Sequence, residues 1–113
     1  MEYIGQIEAK ADDSALTCNR WLQFIAERSE LVRAPARMVR NPATGQMIEA
    51  RPPPDTVQLI REGANLGSFS WAPDGSAAVD VMCCDGCRKL MAKAAREFAH
   101  VLGGRFSEYH ASS

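Results

Sequence analysis

Three cysteines fall within five residues, Cys83-Cys84-Asp85-Gly86-Cys87, and a fourth, Cys18, stands alone. Cys84-x-x-Cys87 places two thiols between a stretch that reads as a strand and one that reads as a helix. Thiolates beside a helix N-terminus are stabilised by free amide N–H groups and the helix dipole, the setting a reactive pair requires. The same residues also read as packing. Cys87 precedes Leu90 and Ala94 by three and seven positions, on the apolar stripe of that helix, and a free cysteine behaves as a small buried hydrophobe. A redox dithiol also expects a parallel βαβ setting, whereas this one follows a meander.

Metal binding finds less support. A structural zinc site takes four ligands, usually as two spaced pairs. Adjacent Cys83 and Cys84 point to opposite sides of a strand, and His100 lies roughly 20 Å along the helix from Cys87. Cys18 approaches Cys87 only if the two helices of the chain run the same way. No metal and no other cofactor is expected. Ser68 and Ser70 have no base in sight, His100 and His110 read as solvated, and Gly103-Gly104 closes a helix instead of opening one around a phosphate. No catalytic residue is expected either.

The elements that would position these groups read as one domain of 113 residues, long enough to bury a core without staples. Residues 3–10 alternate as a first strand, with Tyr3, Ile7 and Ala9 to one side. Asp12-Asp13-Ser14 suits a helix cap, and the helix runs to about Arg28 with Cys18, Trp21, Leu22 and Ile25 on its apolar face. Phe24 falls off that stripe. Residues 33–54 form an inserted hairpin or loop, with Asn41-Pro42-Ala43-Thr44-Gly45 as its turn and Pro52-Pro53-Pro54 as a stiff spacer.

A meander follows. Its strands are 56–61, 66–71 and 77–82, with Val57, Leu59, Phe69, Trp71, Val79 and Val81 on the core side. Asp85 caps the last helix, Gly86 to Leu102, whose stripe is Leu90, Met91, Ala94, Ala95, Phe98 and Leu102. Residues 105–109 add a short edge strand. Helices and sheet each own one apolar face, so the expected fold is α+β: a two-layer sandwich with an antiparallel-rich sheet and both helices on one side. A ferredoxin-like arrangement is the alternative.

Hydrophobic residues make up 46% and charged ones 24%, with a net charge of −1 and a pI near 6.1. This balance gives no long-range attraction to nucleic acid or an anionic membrane. No apolar run is long enough to span a bilayer, and a reducing, cytoplasmic setting is expected. The charge is nevertheless laid out in blocks. Residues 31–61 carry five basic and two acidic side chains, and residues 62–85 none and four. Arg37, Arg40, Asn41 and Arg51 on the hairpin are the expected contacts for another protein. Arg88, Lys89, Lys93 and Arg96 on the last helix read equally well as a solvated face.

Taken together, the Arg40-Asn41-Pro42-Ala43-Thr44-Gly45 turn, the Gly67-Ser68-Phe69-Ser70-Trp71 strand and the Leu102-Gly103-Gly104-Arg105-Phe106 ending resemble a set of small uncharacterised bacterial proteins. Those proteins share an N-P-x-T-G turn and an L-G-G-x-F ending, and some are similar to immunity proteins of bacterial toxins. The resemblance implies a compact cytoplasmic α/β domain and gives the cysteine corner no role.

Overall fold

The structure, a computed structural model, describes residues 2–9, 16–50, 55–72 and 77–109. The chain runs β1 (Glu2–Ala9), α1 (Cys18–Ala26), β2 (Leu31–Arg33), β3 (Arg37–Arg40), β4 (Met47–Ala50), β5 (Thr56–Arg61), β6 (Ala64–Trp71), β7 (Ala78–Cys83), α2 (Arg88–Leu102) and β8 (Gly104–Glu108). Six strands form one antiparallel sheet in the order β2-β5-β6-β7-β1-β8, and β3 pairs with β4 as a separate hairpin. Both helices cover one face, so the fold is the expected two-layer α+β sandwich.

The meander is built by its turns. Glu62 and Gly63 both take positive φ (53° and 77°), as a two-residue turn matched to strand twist requires. At the other end, the Ala72 N–H donates to the Ala78 carbonyl (2.9 Å) and closes the β6–β7 hairpin. The six residues expected on the inner face lie there, with Trp71 half-buried at its margin. They meet Trp21, Phe24 and Phe98 in a closed ring of aromatic contacts. Trp21 stacks on Phe24 at 5.8 Å, Phe24 meets Phe98 edge-on at 5.1 Å, Phe98 meets Phe69 at 5.3 Å, and Phe69 returns to Trp21 at 6.1 Å. The Trp21 indole N–H is satisfied by the Asp55 carbonyl at 2.9 Å, so the largest side chain is fully buried at no polar cost.

Two strands carry matching irregularities. In β1 the register shifts between Tyr3 and Gly5, and in β6 it shifts between Asn65 and Gly67, opposite Leu59 and Ile60. Each bulge inserts an aliphatic residue before a glycine, Ile4-Gly5 and Leu66-Gly67, and both aliphatic side chains are buried. Each bulged carbonyl is captured by the chain beyond, Ile4 by the Tyr109 N–H (2.7 Å) and Leu66 by the Cys84 N–H (3.0 Å). The first bulge corrects the expected face of β1. Ile7 points inward opposite Val79, but Tyr3, opposite Met82, points outward and meets Tyr109 at 5.5 Å.

Other boundaries also differ from the sequence reading. Helix α1 is shorter, and its cap is Thr17, whose Oγ1 accepts from the Arg20 N–H at 3.1 Å; Asp12-Asp13-Ser14 lies outside the described residues. Phe24 is core and Leu22 only half-buried, because the sheet lies toward the 21–24 side of the helix. Asp85 does not cap α2, since Cys87 holds that position without a side-chain bond. Leu90 is 54% exposed, while Ala92 and Ala99 are buried. The ending is as expected, with Gly103 at φ 76° closing α2. Strand β2 was not anticipated, its three residues being too few to show a period.

Candidate functional site

The cysteine corner is where β7 leaves the sheet and α2 begins. Cys83 is the last residue of β7 and points inward, opposite Gly67 and Glu2, with 1% of its surface exposed. Its thiol lies 3.9 Å from the Glu2 carboxylate, and burial, then that carboxylate, push its pKa above the ordinary thiol value. Cys84 and Cys87 are half-buried and bracket a turn closed by a Cys87 N–H to Cys84 C=O bond of 3.0 Å, with Gly86 at φ 79°. Cys87, not Cys84, therefore stands at the start of α2. All four cysteines are free thiols.

Cys18 does not join them. Arg20, in the first turn of α1, donates to the carbonyl of Val101 in the last turn of α2 (3.5 Å). Cys18 thus sits at the opposite end of α2 from Cys87, so the condition under which the two could approach is not met. Among the described residues no group of His, Cys, Asp and Glu is arranged to hold a metal.

Alkaline pH should test the Cys83 environment. A thiol whose folded pKa is raised binds its proton more tightly in the native state. Its stabilising contribution is complete below the unfolded thiol value, about 8.5, and is lost as pH rises toward the folded one. Tyr3, raised by burial and then by Asp80 and Glu8, acts in the same direction at higher pH. Urea midpoints measured from pH 7 to 10 should fall above about pH 8.5, and Cys83→Ala should flatten the first part of that fall.

The hairpin is the second candidate. Asn41 builds its turn. The Asn41 side-chain oxygen accepts from the Ala43 N–H (2.9 Å), its own N–H donates to the Gln46 carbonyl (2.8 Å), and its carbonyl accepts from the Gly45 N–H (2.7 Å). Arg40 is exposed at the end of β3, opposite Met47, and Arg37 pairs with Ala50 at the base. Arg51 lies outside the described residues. Among those residues, nothing between 37 and 50 belongs to the core cluster.

The apolar content of this arm was missed in the sequence. Of seven large apolar side chains exposed among the described residues, Val32, Met38, Met47 and Ile48 lie on β2 and the hairpin. Met38 and Met47 are more than half exposed, at 58% and 54%. The alternation of β3 and β4 puts Met38, Arg40, Met47 and Glu49 on one face and Val39 and Ile48 on the other. The readable signal was Met-Val and Met-Ile flanking a turn.

Arginines elsewhere are engaged by their own chain. Arg61 binds Glu30 (3.0 Å) and Glu97 (3.6 Å), and the Glu30 hydrogen bond leads the effects that raise its pKa. Arg28 lies 4.4 Å over the Phe24 ring, and Arg105 lies 3.8 Å from Glu8. On α2, Arg88 reaches Glu2 (3.3 Å) and the Tyr109 carbonyl (2.6 Å), and Arg96 lies 3.7 Å from Glu108. The basic face of α2 is thus partly neutralised. Among the described residues, Arg33 and Arg40 enter no ion pair.

A groove of 610 Å³ opens beside Ile60, Arg61, Leu66 and Leu90. It holds no cysteine, serine or histidine in its wall, and His100 is exposed on α2. No described helix is long and apolar enough to cross a membrane. Comparison of the chain with protein-family models, with curated proteins and with solved structures finds no match.

Proposed function

We propose that this chain is a non-catalytic protein-binding module whose contact surface is the β3–β4 arm with the adjoining β2 edge. One observation carries the reading: the side chains that the fold leaves unused are concentrated there. Among the described residues Arg40 and Arg33 enter no ion pair, and Met38, Met47, Ile48 and Val32 are exposed beside them. Methionine and arginine are enriched at protein interfaces, and methionine adapts to irregular pockets. A lone two-stranded hairpin is marginal in water, so covering one face by a partner would also steady the arm. The fitting partner offers an apolar depression with an acidic rim.

A bacterial toxin neutralised by this chain is the specific version that the Asn-Pro-x-Thr-Gly turn and the Leu-Gly-Gly-x-Phe ending suggest. Capture from the native host tests the general reading, with Arg40→Glu and Met47→Glu as separate variants. Each should weaken retention of the specific partner at least about tenfold, corresponding to 1.4 kcal/mol or more. The Arg40→Glu loss should shrink at high salt. Unchanged retention by both variants would remove the arm from the interface.

A further inference from the structure

We propose that Cys84 and Cys87 form a reversible intramolecular disulfide by exchange with a low-molecular-weight disulfide of the glutathione class. The first support is reach. The bond from the Cys87 N–H to the Cys84 carbonyl (3.0 Å), with Gly86 at φ 79°, makes Cys84 and Cys87 the first and fourth residues of a closed β-turn. Such a turn holds its end Cα atoms within about 7 Å, and disulfides bridge Cα separations of about 4.4–6.8 Å.

The second support is that both ends are pinned by regular structure. The Cys84 N–H donates to the Leu66 carbonyl of β6 (3.0 Å), and the Cys87 carbonyl accepts from the Met91 N–H of α2 (2.9 Å). These bonds hold the two backbone positions at the spacing of the turn.

The third support is selectivity among neighbouring thiols. Cys84 and Cys87 are half-buried, whereas Cys83 is buried, faces the core and lies against Glu2. Cys83 is thereby withheld from a dissolved disulfide, while Cys84 and Cys87 keep part of their surface open to solvent.

The exchange balances as two displacements. One cysteine thiolate attacks a sulfur of the small disulfide, forming a mixed disulfide and releasing one small thiolate. The second cysteine thiolate then attacks the protein sulfur of that mixed disulfide. The Cys84–Cys87 bond forms, the bond to the small thiol breaks, and a second small thiolate leaves. Two electrons pass from the pair to the small disulfide, and the two cysteine protons finish on the released thiols.

The test is a thiol count on the full chain, equilibrated at neutral pH in glutathione buffers of rising disulfide content, acid-quenched, alkylated and weighed intact. Free thiols should drop from four to two per chain, without dimers, and return to four with dithiothreitol. A Cys18→Ser chain should show the same drop. Cys84→Ser and Cys87→Ser, checked for fold by circular dichroism, should each stall with one bound glutathione. Four persistent thiols, a stable mixed disulfide on the unaltered chain, covalent dimers, or loss of the thiol at Cys18 or Cys83 would each overturn the proposal. The unaltered chain alone decides it if a variant fails to fold.

Discussion

Replacing Phe98 by alanine should cost the fold about 4 kcal/mol. Phe98 is fully buried on α2 and makes two of the four contacts in the aromatic ring, with Phe24 and Phe69. Arg28 and Arg61 also lie over it, at 5.3 Å and 6.0 Å. Removing it empties the space between helix and sheet and opens the route by which α1 is tied to both. For a chain of this size the loss should lower Tm by about 15 °C. Phe98→Leu, which keeps most of the volume, should cost about 1.5 kcal/mol. Urea unfolding of both variants measures the difference, and a loss under about 2 kcal/mol for alanine would show that the ring does not close as described.

The second large effect belongs to Gly67. Its φ of 159° is one that side chains rarely adopt, and a Cβ there would run into the Met82 carbonyl and crowd the backbone of Cys83. Both obstacles are backbone of the neighbouring strand, so no side-chain rotation relieves them. Backbone strain and overpacking each contribute about 1–3 kcal/mol, and Gly67→Ala should therefore cost about 3 kcal/mol in a thermal or urea melt. Ser70→Ala, three residues along on the outer face, should change stability by less than about 1 kcal/mol. If the two variants melted together, the close approach of β6 to β7 would be disproved.

The sequence was most legible where a signal is local and repeated. The Glu62-Gly63 turn, the alternation of Val57, Leu59, Phe69, Val79 and Val81, and the glycine after Leu102 each announce their conformation within a few residues. Position in the sheet is not local. Strand β2 exists only because Leu31 and Arg33 pair with β5, and Tyr3 faces outward only because Ile4 is an extra residue in β1. Phe24 was misplaced because a nine-residue helix offers few turns from which to fix its buried side. The position of Cys18 relative to Cys87 stayed open for a related reason, since the meeting of α1 with the end of α2 is a tertiary fact.

The candidate site shows the same division. The Cys84–Cys87 spacing and the turn chemistry of Asn41 could be read directly. That Cys83 is sealed while its neighbours are not required the register of β7 against β1 and β6. That Glu30, Glu97, Glu2, Glu8 and Glu108 are engaged with other arginines, while Arg40 enters no ion pair among the described residues, required the placed side chains.

One pairing has a consequence for synthesis. Strand β1 lies between β7 and β8, pairing with residues that follow it by seventy positions or more. A strand made that far ahead of both partners therefore has no berth until β7 and β8 have also left the ribosome. Its apolar Ile4 and Ile7 must wait in the open during translation, and the long loop that brings them home makes completing the sheet a slow step.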